Sequence, residues 1–312
     1  MDVLTDVLQT VRVQGACYGR VQAGAPWAVS VNRAEDAKFH VVLSGACSLV
    51  VEGEAEPRHL AAGDIVALPH GDAHSLHDDP MTPARPLDQL CRPEKRGLAL
   101  EVGGAGPRTE LVSGRIRFES RAHNPLLSAL PSVMVLPGQE GRAVQWLEPT
   151  LQFIAWEVAA GKPGAHTVVS RLADILFIQI VRGYLASLPD DATGWLGALK
   201  DQQIGAALTL IHQNPERDWT VLALAEQVAM SRSAFAARFN RIVGEPPLHY
   251  LTRWRMQKAA GLLREGQGSL AEIAEQVGYD SEAAFSKAFK RAIGSAPGAY
   301  RRAARDGASV AA

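Results

Sequence analysis

Between about residues 25 and 80 apolar and polar positions alternate in short runs, and beyond residue 140 the period lengthens to that of a helix. "AKFHVVLSGACSLVVEGE" (37–54) reads as a strand, a Ser44-Gly45 turn, a second strand and a turn near Gly53. Ile65–Leu68 gives another strand, between a Gly63-Asp64 turn and the turn Pro69-His70-Gly71-Asp72. Several short strands with regular turns predict a small antiparallel barrel or sandwich. Residues 80–110, with five prolines and four glycines, read as a loop-rich bridge, and "ELVSGRIRFES" (110–120) as a closing strand.

Helical spacing begins with Trp146, Thr150, Phe153, Ile154 and Val158. After a break at 161–164 it resumes through Leu172, Ile175, Leu176, Val181, Tyr184 and Leu188. This second helix is apolar over much of its circumference, so its own domain or a partner must bury it. That leaves a core helix and a dimer interface both open. "LPDDATGW" (188–195) reads as a linker, and from Leu199 to Arg302 the pattern is helical throughout. The division that follows is 1–125 as a β domain, 126–188 as a helical segment that could dimerise, 189–199 as linker, and 200–304 as a helical domain.

The helical domain repeats itself. Residues 224–230 match 273–279, and 234–250 match 284–300, with identities from Ala225/Ala274 through Phe235/Phe285 and Phe239/Phe289 to Gly244/Gly294, Pro247/Pro297 and Tyr250/Tyr300. Each copy reads as a short helix, a tight turn and a second helix that starts after a capping serine, Ser231 or Ser281. Ser269 with Glu272 forms a capping box ahead of the second copy. The turn holds Gly278 in copy two but Ala229 in copy one, where the left-handed conformation costs more. "PLHYLTRWRMQKAAGLLREG" between the copies suits one long connecting helix. The expected units are a helix-turn-helix at about 220–242, a linker helix at about 247–264 and a second helix-turn-helix at about 269–292.

On a wheel of about 100° per residue, Phe235, Phe239 and Ile242 of the first copy share an inner side, as do Phe285, Phe289 and Ala292 of the second. The outer side of copy one carries Ser233, Ala237, Asn240 and Arg241, with Arg232 and Ala236 near the helix start. Copy two presents Ala283, Lys287, Lys290 and Arg291, with Ser286 at the edge and Glu282 at the start. Small, polar and cationic groups on one face fit a major groove, where side chains must reach base edges without clashing.

Charge sharpens this picture. Residues 1–199 carry 17 Lys and Arg against 22 Asp and Glu, whereas residues 200–312 carry 15 against 11. The basic excess therefore sits with the repeat. The three cysteines, Cys17, Cys47 and Cys91, show no paired spacing, which argues for a reducing compartment. With no signal-like N-terminus and no apolar run long enough for a bilayer, a cytoplasmic protein without membrane contact is expected.

Residues 200–302 resemble the DNA-binding domain of the AraC/XylS family, most closely over "AAGLLREGQGSLAEIAEQVGYDSEAAFSKAFKRAIGSAPGAYRR". The resemblance implies two helix-turn-helix units on a linker helix, reading adjacent major-groove segments of double-stranded promoter DNA. Many members carry Arg where this chain has Ala237 and Lys287, and Arg reads guanine in a more rigid, bidentate way. "GDIVALPHGDAH" (63–74) fits the second cupin motif through Gly63, Pro69, Gly71 and His74, so residues 1–188 resemble cupin-type sensor domains of that family.

Metal-dependent cupins carry a Glu where this chain has Lys38, and their histidines fall where it has Asn32–Ala34. His40 and His74 are then expected as effector-binding or core groups, with no metal and no cofactor assigned, although Cys91 would be a conceivable third ligand. The expected protein is thus α+β: a cupin-like β-barrel followed by helices, then an all-α domain with two helix-turn-helix motifs. Its expected role is an effector-controlled, homodimeric transcription regulator, with RNA polymerase as a further partner if it activates. A cupin metalloenzyme carrying a DNA-binding domain, and a constitutive DNA-binding dimer, are the alternatives.

Overall fold

The computed structural model describes residues 3–9, 13–90, 100–118, 125–138, 162–266 and 268–310, with a few positions between 149 and 157. The chain forms two compact units, one of Val11–Arg121 with Leu130–Ser187, the other of Met1–Thr10 and Ala122–Ala129 with Leu188–Ala312. In chain order come helix α1 (Val3–Gln9), strands β1 (Val13–Gly24), β2 (Ala28–Val31), β3 (Ala37–Ser44), β4 (Ala46–Val51), β5 (Arg58–Ala61), β6 (Ile65–Leu68), β7 (His74–His77) and β8 (Arg85–Pro86), and helix α2 (Leu87–Leu90). Then follow β9 (Leu100–Gly103), β10 (Arg108–Phe118), helix α3 (Pro125–Ala129), β11 (Met134–Leu136) and helix α4 (Ala165–Ser187).

The strands make two sheets, ordered β11-β6-β3-β10-β1-β9 and β5-β4-β7-β2-β8. Strand β4, with the sequence ACSLVV, shows why: Cys47, Leu49 and Val51 are buried at every second position while their neighbours are not. They meet Val42, Val66, Leu68 and Leu111 of the other sheet in one apolar core, together with Trp27, Val29, Leu60 and Leu76. Helix α4 packs on β1 and β11, with Phe177 edge-on to Phe118 at 4.9 Å. The six-stranded sheet is therefore covered on both faces, and β3 is buried at each position from Ala37 to Val42.

The expected strands at 37–44, 46–51, 65–68 and 110–118 are present. The stretch 80–110, read as loop from its prolines and glycines, instead carries β8, α2, β9 and the start of β10. Prolines tolerate such edge positions, since β8 is the last strand of its sheet. The helix expected around Trp146–Val158 lies largely outside the described residues.

The second unit is helical: α5 (Gly194–Ala198), α6 (Gln202–Gln213), α7 (Val221–Gln227), α8 (Arg232–Val243), α9 (Pro247–Arg264), α10 (Leu270–Gln276), α11 (Glu282–Ile293) and α12 (Pro297–Val310). Helix α1 packs against α6, burying Val3 and Val7, and α3 buries Leu126 and Leu127 against its neighbours in the same unit. The starts are fixed by side chains. Thr220, Ser231, Ser269 and Ser281 each accept a backbone N–H of the turn they open, and Ser269 with Glu272 completes the capping box. Among the described residues no helix is long and apolar enough to cross a membrane.

Two details differ from the periodicity. Trp195, placed in the linker by sequence, is buried in α5, where its indole N–H donates to the Tyr250 hydroxyl at 2.8 Å. Ala292 is exposed, and Ala288 lines the core of the second copy with Phe285 and Phe289. A methyl group weighs too little on a wheel to fix which of two alanines faces inward.

Candidate functional site

The two second helices of the repeat, α8 and α11, stand on the surface of the helical unit. Phe235, Phe239 and Ile242 anchor α8 from within, and Phe285, Ala288 and Phe289 anchor α11. Opposite these anchors Arg232, Ser233, Ala237, Asn240 and Arg241 are exposed on α8, with Ala236 half-buried. On α11 the exposed residues are Glu282, Ala283, Lys287, Lys290 and Arg291, with Ser286 half-buried. The candidate contact residues therefore form one outward face on each helix. Both helices end at a left-handed glycine, Gly244 and Gly294.

The turns before these helices differ. Gly278 takes φ +76° in copy two, and Ala229 takes φ +54° in copy one, the single non-glycine residue with positive φ among the described residues. Ala229 is exposed, so nothing collides with its methyl group, and the left-handed backbone costs about 1 kcal/mol.

One cation of α8 is not among the residues expected from the sequence. Arg238 lies on α8, but its guanidinium donates to Asp201 Oδ2 from Nη2 at 2.7 Å and Nε at 3.1 Å, and to Gln203 Oε1 from Nη1 at 3.1 Å. Asp201 also caps α6 by accepting the N–H groups of Gln203 and Ile204. Arg238 is thereby occupied in holding α8 to α6. Thirty-seven residues separate the partners, and no local spacing announces the pair.

In the β unit, His40 and His74 come together across the two sheets. Their Nε2 atoms are 2.7 Å apart, and both side chains are buried. His74 Nδ1 faces the Asp72 carbonyl at 2.8 Å, so it must donate, which leaves Nε2 as the acceptor. His40 then donates from Nε2, and its Nδ1 accepts the Ser113 hydroxyl at 2.8 Å. The relay is neutral. Burial, with His74 and Lys38 adding to it, holds His40 well below its ordinary value, and burial pushes His74 down to about 4.

Lys38, on the same strand, bonds the Asn32 carbonyl. Burial lowers its pKa, opposed by Asp72, Asp36 and Asp88. Lys38 stands where a metal-binding cupin would carry a carboxylate, and both imidazoles are engaged with each other, so these residues do not fit a metal ion. Among the described residues no group of three or more His, Cys, Asp or Glu could hold one. Cys91 lies outside the described residues, while Cys47 is a buried free thiol pushed up to about 12 by burial, with Asp64 adding to the shift.

Comparisons with known proteins bear on both units. A cupin family model matches residues 2–186, and a helix-turn-helix domain model matches residues 224–303. The chain is 38% identical to a putative AraC-like transcription regulator of Streptomyces lividans, over 97% of this chain and 98% of that protein. It is 34% identical to the HTH-type transcriptional regulator AlkR of Acinetobacter baylyi, over 97% and 99%. The crystallised DNA-binding domain of AdpA, in complex with a target DNA, is 31% identical, covers 34% of this chain and 96% of that one, and gives a TM-score of 0.33.

Proposed function

This chain belongs to the AraC family of transcription regulators, with an N-terminal cupin domain, and from that premise we propose that α8 and α11 enter successive major-groove segments of one promoter duplex. The observation that carries this reading is the pair of exposed faces, cationic and small-residue, on two capped helices of a single helical unit. Lys287, Lys290, Arg291 and Ser286 read or grip DNA from α11, while Glu282 and Ala283 stand at its leading end. On α8, Arg232, Ser233, Asn240 and Arg241 make the polar contacts, and Ala236 and Ala237 offer methyl groups to thymine.

Replacing Lys287 by Ala tests the assignment. Affinity for the selected site is expected to fall by about 1–3 kcal/mol, with little change on unrelated duplex. A loss of equal size on every sequence, measured by salt-controlled binding titration, would make Lys287 a phosphate contact instead.

The β unit is proposed to bind a small effector near the Ser113–His40–His74 relay, and the chain to act as a homodimer. Supporting the second point, the outer strip of α4 carries Ile175, which is 47% exposed, with half-buried Leu172 and Ile178 beside it. RNA polymerase becomes a partner where the bound site lies so as to activate. A thermal-shift screen of metabolites on the full chain, followed by sedimentation of any hit, is expected to find a compound that raises the melting point of a dimeric species. A monomer that no compound stabilises would overturn both points.

A further inference from the structure

The linker helix α9 joins the two helix-turn-helix units over an axis of about 27 Å for its 18 residues, docking Tyr250 and Trp254 into the first half and Met256, Ala259 and Leu263 into the second. How finely the second unit is held in rotation about that axis depends as well on direct contacts between the halves. One side chain on α9 bridges the two halves directly. Arg255 donates from Nε to the Pro215 carbonyl at 2.6 Å and from Nη2 to the Arg217 carbonyl at 2.9 Å, both in the loop between α6 and α7 of the first half. The same guanidinium lies 5.8 Å from the ring centroid of Tyr279, in the turn between α10 and α11 of the second half.

Gly278 completes the joint. A Cβ there would stand 2.6 Å from the Glu216 carbonyl oxygen and 2.6 Å from Arg255 Nη2, so the turn of the second unit sits directly on the loop of the first. The equivalent turn of the first unit holds Ala229 in the open, which accounts for the difference between the copies. Asp218, Glu216 and Asp280 surround the guanidinium with negative charge, which opposes the lowering caused by its burial. The planar fork of Arg matches two carbonyls at once, which a lysine ammonium on its flexible stem would not.

We propose that Arg255 is a positioning residue that sets the rotational phase between the two DNA readers, and that through it the protein selects the spacing between half-sites separately from their base sequence. The inference rests on the reading that both units engage one duplex. Successive major-groove faces recur about every 34 Å, so each inserted base pair both separates the half-sites and turns them by about a tenth of a circle.

The test uses the full chain and a duplex obtained by in vitro selection with the unaltered protein, remade with one to five base pairs added or removed between the half-sites. The unaltered protein is expected to lose about tenfold on a change of one or two base pairs, the scale of a mismatched position. Arg255→Lys and Arg255→Ala should bind the optimal duplex about tenfold more weakly while changing little across spacings, and should bind isolated half-sites as the unaltered protein does.

A wild-type spacing profile in Arg255→Lys would overturn the proposal. So would an equal loss on isolated half-sites and on every spacing, which is the mark of a merely structural residue. If the unaltered protein binds a duplex bearing one half-site as tightly as the full one, the failure belongs instead to the reading that both units contact DNA.

Discussion

Acidification from pH 7.5 to 5.0 is expected to destabilise both units, by about 2 kcal/mol through the buried histidine His74 in the β unit and about 2 kcal/mol through His212 in the helical unit, with His40 adding a further loss to the β unit. The groups are His40 and His74 in the first unit and His212 in the second, where burial aided by Arg253 and Lys258 pushes the imidazole down to about 3. Asp6 Oδ2 lies 4.0 Å from His212 Nδ1, too far for a hydrogen bond, and burial outweighs it, so the two do not form an ion pair.

The sign follows from which state binds protons. Unfolded, each histidine takes one up near its ordinary value of 6.5, whereas folded His74 stays neutral down to about 4 and His212 down to about 3, and His40 is likewise held well below 6.5. The stability is fully present above 6.5 and drains away as pH falls toward the folded values. Asp78 and Asp201 are depressed below 3.8, chiefly by hydrogen bonds that outweigh desolvation, so what they contribute is lost only at still lower pH. Calorimetry of the full chain at pH 7.5, 6 and 5 checks this: the transition of the β unit should fall furthest. A melting profile unchanged down to pH 5 would mean that the imidazoles are not held neutral.

What the sequence disclosed, and what it withheld, divides along one physical line. Local chemistry was readable. The capping serines Ser231, Ser269 and Ser281 mark helix starts, the span 247–264 of α9 follows from its apolar spacing, and the positions of Phe235 and Phe285 name the buried faces. His74 was readable from its motif because the motif encodes a turn.

Contacts between distant elements were not readable. Arg238 and Arg255 look like two more surface cations, and only the packing of α6 and of the α6–α7 loop gives them partners. Helix α1 offers seven residues with no hint that Val3 and Val7 belong to the helical unit. The pairing of His40 with His74 depends on two sheets facing each other, which periodicity within a strand does not specify.

Tyr250→Phe is expected to destabilise the helical unit by about 2–6 kcal/mol, and Tyr300→Phe, at the matching place in the second copy, by under about 0.5 kcal/mol. Both rings pack edge-on against the inner phenylalanine of their own copy, Phe239 at 5.9 Å and Phe289 at 5.6 Å, so the aromatic contribution is shared. The hydroxyls differ. Tyr250 is 2% exposed, and its oxygen accepts the Trp195 indole N–H at 2.8 Å and lies 2.7 Å from His212 Nε2.

Because the indole can only donate, the phenolic hydrogen must point to His212, whose Nε2 is then the acceptor. Removing the oxygen strands two buried polar groups, each costing about 1–3 kcal/mol, and leaves no room for water to replace it unless the helices part. No hydrogen bond is made to the Tyr300 hydroxyl among the described residues, and Tyr300 is half-buried. Urea denaturation of the two variants measures the difference. Equal losses at both positions would place the cost in the ring packing and remove the hydroxyl from the account. The predicted asymmetry would mean that one copy of a duplicated motif has been fastened, through Trp195 and His212, to helices α5 and α6, which the other copy lacks.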